Sequence, residues 1–233
     1  KENKIAPHTE IIIKLTRELH DQNRRLAIER WQRERESENK KFREKLEEFA
    51  KDTNSKVTEA DVLKYRLCQE QNGRCFYTNK TINCEKLLGT NPAFDIEHTF
   101  PRSKSFDNSL INKTLADKAF NQIKGNRIPQ ELEQEYINNF TLNIKDWEKK
   151  IDDLEEKIEQ QKYFSKVAST VEQKNRAIQQ RHYLKLELDY WKQKVYRFTA
   201  TEIKPNFKNS QLVDTGIITK YSELFLKSLF QRV

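Results

Sequence analysis

Apolar positions along the chain fall into runs, isolated stripes and long gaps, and each predicts a different element. The β-branched run Glu10-Ile-Ile-Ile13 predicts a short buried strand. From about Thr16 to Phe49 the spacing turns helical, with apolar contacts expected from Leu15, Leu19, Leu26 and Trp31. Its middle, Gln32 to Lys41, has no apolar face and mixes charges of both signs. That pattern predicts a helix bridging solvent between domains.

A loop at 51–56 precedes Thr58, which with Asp61 forms a near capping box. The helix it opens carries Val62, Tyr65 and Leu67 inward and ends near Asn72-Gly73. Arg74 to Tyr77 reads as a short strand turning at Thr78-Asn79-Lys80. Leu87 to Pro92 reads as a loop, Ala93 to His98 as a strand, and Ala116 to Lys124 as a helix ended by Gly125. Beyond Pro129, apolar residues recur at three- and four-residue steps: Ile144, Trp147, Ile151, Leu154 and Ile158, then Leu184, Leu188, Trp191 and Val195. Two such stripes predict an antiparallel helical hairpin. Thr199 to Gln211 reads as a linker and Ile217 to Phe230 as a last helix. The expected class is α+β, predominantly helical.

Composition sharpens this picture. The chain has 233 residues, 34% of them charged, with only 4 Gly and 5 Pro and a net charge of +8. Such a chain favours long solvated helices, and its basic balance makes a polyanion a candidate partner. No run is long enough to span a membrane. Cys68, Cys75 and Cys84 lack paired Cys-x-x-Cys spacing, which predicts neither a zinc site nor a disulfide framework, and a cytoplasmic setting. The absence of methionine and the start at Lys1 predict a piece of a longer protein.

Chemistry concentrates in Asp95-Ile-Glu-His98-Thr-Phe-Pro101-Arg102, followed by Asn112 and Asn121. Phosphodiester hydrolysis needs a base for water and a cation for the charge that develops on phosphate. His98 suits the first role, because imidazole titrates near neutral pH. Glu97, Asn121 and Asp95 offer oxygen ligands to Mg²⁺, with Mn²⁺ as a substitute. Asn112 is placed to pin the loop that carries His98. Arg102, Lys113 and Lys124, with Lys104 and Lys118, are candidate phosphate contacts.

Phe94-Asp-Ile-Glu-His-Thr-Phe-Pro-Arg-Ser103, Phe106-Asp-Asn-Ser109, Asn112-Lys-Thr-Leu115 and Lys124-Gly-Asn-Arg-Ile-Pro129 resemble the HNH (ββα-metal) nuclease domain of type II CRISPR-associated effectors. Leu63-Lys-Tyr-Arg66 and Asn72-Gly-Arg-Cys-Phe-Tyr-Thr78 resemble the lead-in to that domain. Ile11-Ile-Ile13 with Arg17-Glu18 resembles the second segment of the family's split RuvC-like domain. The stretch Gln211 to Lys220 resembles the entry to its third segment. The resemblance implies four parts. Residues 1–50 are a RuvC-like strand and linker helix, and 51–135 the HNH core. Residues 136–198 are an appended helical hairpin, and 199–233 a linker and RuvC-like entry.

The resemblance also implies RNA-guided cleavage of the DNA strand paired with the guide, by a bacterial cytoplasmic protein. The expected partners are the guide RNA–target DNA heteroduplex and the rest of the effector, with no membrane and no small-molecule cofactor. By position, His98 would be the base, Glu97 and Asn121 metal ligands, and Asp95 an auxiliary carboxylate. Two positions depart from the family pattern: Glu97 stands where aspartate is usual, and Lys14 where a RuvC metal-binding glutamate is expected. Two other readings compete: a catalytically decayed helical nucleic-acid-binding module, and a free-standing HNH nuclease of the homing or restriction type.

Overall fold

The computed structural model describes residues 21–51, 56–87 and 93–203. The strand expected at 10–13, Lys14, the stretch beyond 203 and the last helix lie outside the described residues.

Helix α1 (Gln22–Ala50) starts where the Asp21 side chain accepts from the Arg24 N–H. Helix α2 (Glu59–Glu70) opens on the expected capping box of Thr58 and Asp61. The chain then reverses through Asn72 and Gly73, both at positive φ. At Gly73 a Cβ would lie 3.2 Å from the Ile82 carbonyl. The strand expected at Arg74–Tyr77 is instead a tight turn. The Cys75 N–H donates to the Lys80 carbonyl, and the Asn79 N–H to the Cys75 carbonyl. Among the described residues the ladder contact of this segment is an isolated bridge between Arg74 and Thr81. Tyr77, at the turn, is wholly buried; burial of its ring, rather than strand pairing, fixes this segment.

Strands β1 (Phe94–His98) and β2 (Lys113–Asp117) form an antiparallel hairpin, with Ile96 opposite Leu115, Glu97 opposite Thr114 and His98 opposite Lys113. A short helix α3 (Arg102–Ser105) lies between them. Buried Gln71 completes the outer edge of β2. Its amide donates to the Leu115 carbonyl at 2.9 Å and accepts from the Leu115 N–H at 2.5 Å, as a third strand would. Helix α4 (Lys118–Lys124) starts two residues later than its expected Ala116, because Ala116 and Asp117 belong to β2 and Asp117 caps the helix. Helix α5 (Gln134–Asn143) leads to the expected hairpin of α6 (Lys145–Val167) and α7 (Val171–Thr199). The architecture is α+β and mostly helical.

One continuous core joins α2, the β hairpin, α4, α5, α6 and α7. Its centre is aromatic: Phe198 of α7 lies within ring contact of Phe76, Tyr77, Phe140 and Trp147. Three expectations fail around it. Leu26 is partly exposed, and Ala27 takes the inward place on α1. The charged middle of α1 does not bridge solvent. It packs on α7, where Glu187 accepts from the Trp31 indole and the Arg35 guanidinium, and on α2, where Arg66 binds Glu38 and Asn39. The groups facing α7 and α2 pair across the interface, while Gln32, Arg33, Glu36, Ser37, Lys40 and Lys41 stay exposed. Finally, Cys68 of α2 is disulfide-bonded to Cys84, with Cα atoms 5.8 Å apart, while Cys75 is free and buried. Spacing along the chain did not predict this pair; the reversal at Asn72-Gly73 brings it together.

Candidate active site

Alternation along β1 puts Asp95 and Glu97 on one face and His98 on the other. The Glu97 carboxylate is sealed inside the protein at 1% exposure. Its Oε2 accepts from the Thr114 hydroxyl at 2.7 Å and from the Tyr77 hydroxyl at 3.3 Å. Its Oε1 lies 2.7 Å from the equally buried Lys124 ammonium, but no hydrogen bond of good direction reaches it among the described residues. Burial first, then the neighbouring Glu97 charge, push the Tyr77 phenol well above its usual range, so it stays a donor. Asp95 is half-exposed and paired with Lys64 at 3.3 Å.

Lys124 does a second thing: its ammonium donates to the His98 carbonyl at 3.1 Å. Lys124 therefore ties α4 to the end of β1. It does not reach solvent, so the expectation of a surface phosphate contact fails for this residue; the buried Glu97 charge draws it inward. Asn121 lies one turn before Lys124 and so shares its face of α4. The Asn121 side chain has no recorded partner among the described residues and is partly exposed. Among those residues, no three His, Cys, Asp or Glu side chains gather as a metal site by themselves.

The His98 ring sits at the rim, its Nε2 3.0 Å from Asn108 Oδ1. The loop after it is closed by Asn112, fully buried. Its amide accepts from the Phe100 N–H at 2.8 Å and donates to the Phe100 and Asp107 carbonyls at 2.9 and 2.8 Å. Arg102 is exposed at the start of α3, and Lys113 faces the same side of the hairpin as His98. Burial lowers the Lys113 ammonium pKa, and the Arg102 charge beside it lowers it further. The Asp107 carboxylate offsets part of this; two cations near each other still form a place where an anion is welcome.

Helix α7 braces this loop from behind. Arg197 donates to Asp107 Oδ2 at 2.6 Å, and Lys194 donates to the Lys113 carbonyl at 2.9 Å while pairing with Glu70. Sequence reading missed Asn108, Asp107, Tyr77, Thr114, Lys194 and Arg197. The Asp107-Asn-Ser109 spacing carried a turn signal. Nothing local marks Arg197 or Lys194.

Part of the chain is similar to known proteins. Residues 75–130 match the HNH endonuclease family. The chain is 43% identical over 68 residues to CRISPR-associated endonuclease Cas9 1 of Streptococcus thermophilus, which is 29% of this chain and 6% of that protein. It is 42% identical over 66 residues to Cas9 of Staphylococcus aureus, again 6% of the relative. It is 37% identical over 76 residues to Cas9 of Campylobacter jejuni, 8% of the relative. The matches thus span under a tenth of these relatives' lengths. A crystal structure of Streptococcus thermophilus Cas9 with the AGAA PAM aligns over 57% of this chain at 25% identity, with a TM-score of 0.46. Residues 75–130 are an HNH endonuclease domain homologous to those of the Cas9 proteins.

Proposed function

We propose that this chain is the HNH module of a CRISPR effector and hydrolyses the DNA strand paired with a guide RNA. The observation that carries the reading is His98 itself. Its ring lies at the surface end of β1, its carbonyl is held by Lys124, and the exposed Arg102 and partly exposed Lys113 lie on its side of the hairpin.

In this reading His98 takes the proton from the attacking water. Arg102 and Lys113 hold the phosphate against the hairpin. Asn112 keeps the 99–111 loop closed so that the ring and the phosphate meet at a fixed distance. A hard divalent ion would take oxygen donors, with Asn121, Asp95 and Glu97 as the candidate ligands. Glu97 Oε1, buried and without a hydrogen bond, is a natural place for a cation, and the Lys124 ammonium now holds it. Once bound, such an ion neutralises charge on the phosphate and leaving oxygens. Lys124 must release Glu97 before that carboxylate can serve.

His98→Ala is expected to slow cleavage of a guide RNA–target DNA heteroduplex by about 10²–10⁴-fold while heteroduplex binding stays within twofold. Native-level cleavage by that variant would remove the base. One observation favours a second reading, a binding module without catalysis: the Glu97 carboxylate is closed to solvent. Calorimetry with Mn²⁺ separates the two. Saturable binding that Asn121→Ala removes supports the nuclease; no binding by the native chain supports the module.

A further inference from the structure

Helix α7 reaches the imidazole of His98 through a short chain of polar contacts that the reaction as described does not use. Asn108 Oδ1 lies 3.0 Å from His98 Nε2. A carbonyl oxygen only accepts, so Nε2 carries the proton and Nδ1 keeps the lone pair a base needs. Asn108 is itself gripped on either side. Asp107 Oδ1 accepts from the Ser109 N–H at 2.9 Å, closing a turn over Asn108, and the Asp107 carbonyl accepts from Asn112. Asp107 Oδ2 accepts from Arg197 at 2.6 Å.

Arg197 is 5% exposed, bonded to the Gln193 carbonyl on its own helix and lying over the Phe100 ring. Its Nε is buried with no hydrogen-bond partner among the described residues. An apolar side chain would avoid that desolvation cost, so the guanidinium earns its place by direction. One turn earlier, Lys194 holds the carbonyl of Lys113, the register partner of His98. A single turn of α7 therefore fixes both chain segments beside the ring.

We infer that Asn108, Asp107 and Arg197 are positioning residues for His98: Asn108 selects which ring nitrogen carries the proton, and Arg197, through Asp107, holds Asn108 in place. The effect on cleavage rests on the endonuclease reading above; the effect on the ring does not. The test uses the native chain labelled with ¹⁵N-histidine and long-range ¹⁵N–¹H correlation at about pH 8, where imidazoles are neutral. The chain has four histidines, and His98→Ala assigns the signal of interest.

The native ring is expected almost wholly in the Nε2–H form. Asn108→Ala is expected to give a mixture of tautomers and an approximately ten- to hundredfold lower kcat with unchanged KM. Arg197→Met should move the ring in the same direction, less far, and Arg197→Lys should restore it. Asp107→Asn keeps the turn acceptor but loses the charge. It serves as the second variant if Arg197→Met lacks native near-ultraviolet circular dichroism. An Nδ1–H tautomer in the native chain, or native ring signals in Asn108→Ala, overturns the inference whether or not the chain cuts. A tautomer that moves as expected in a chain that cuts nothing upholds the inference and removes the endonuclease reading.

Discussion

The two faces of α7 are held by opposite kinds of force. One face meets α6 and the HNH core through Leu184, Trp191 and Phe198, an apolar and aromatic surface. The other carries α1 through the polar groups of Asn175, Gln179, Gln180, Tyr183 and Glu187, with small buried side chains, Ala27 and Ala177, beside them. The first interface draws its stability from area removed from water, which salt does not screen. The second depends on direction and charge, which exchange protein–water bonds for protein–protein bonds at small net gain. The N-terminal half of α1 is therefore the part expected to detach first, since its C-terminal end is held to α2 by buried Leu46, Ala50, Val62 and Tyr65, and the site stays with the aromatic face.

The sharpest way to break that contrast is Phe198→Ala. Its ring meets four others, and its loss should cost about 3–5 kcal/mol, read as a lower midpoint in urea for the whole HNH core. A change below about 1 kcal/mol would show the core is not organised around it.

Next in size is the buried pair inside the site. Lys124→Met strands the Glu97 charge and should cost roughly 3 kcal/mol. The double variant with Glu97→Gln should recover most of that. Equal losses in single and double variants would mean that the pair is not coupled.

Glu187→Ala removes the acceptor shared by Trp31 and Arg35. It should cost about 1–2 kcal/mol, seen as faster hydrogen exchange in α1 but not in the hairpin β1–β2. High salt should act the same way on native α1. Uniform protection loss in both regions would erase the contrast.

The smallest effect is on acid. Burial alone would raise the Asp107 carboxyl, but hydrogen bonds from Ser109 and Arg197 outweigh it and hold the pKa below the ordinary value. A depressed folded pKa adds stability that is full above the unfolded value, about 3.9, and is lost as pH falls through the folded one. Below about pH 4 the native chain should therefore lose more stability than Asp107→Asn. Parallel acid limbs for the two would show that the carboxylate is not held.

The helical hairpin was legible because heptad spacing is local: Trp147, Ile151 and Leu154 announce the face they bury. The capping box at Thr58 and the β1 strand were legible for the same reason. The partner of α1 was not, because Gln32 to Lys41 carries no apolar stripe; its partners are polar and charged groups on α2 and α7, from 27 to 152 residues away. The Cys68–Cys84 bond was hidden likewise, since the turn at Asn72-Gly73 that aligns the two cysteines cannot be read from cysteine spacing.

By itself the sequence determined the residue types of the candidate site and their order, because a hairpin followed by a short helix brings near neighbours together with little freedom. It placed His98 at the end of a strand and Asn121 on the following helix. Only the tertiary structure decided which of those groups are open and which are spoken for. It closed Glu97 against Lys124, turned that lysine inward, and brought Arg197 of α7 behind the loop that holds the histidine ring. Burial and charge pairing depend on what packs above each residue, and that is fixed by contacts between segments far apart in the chain.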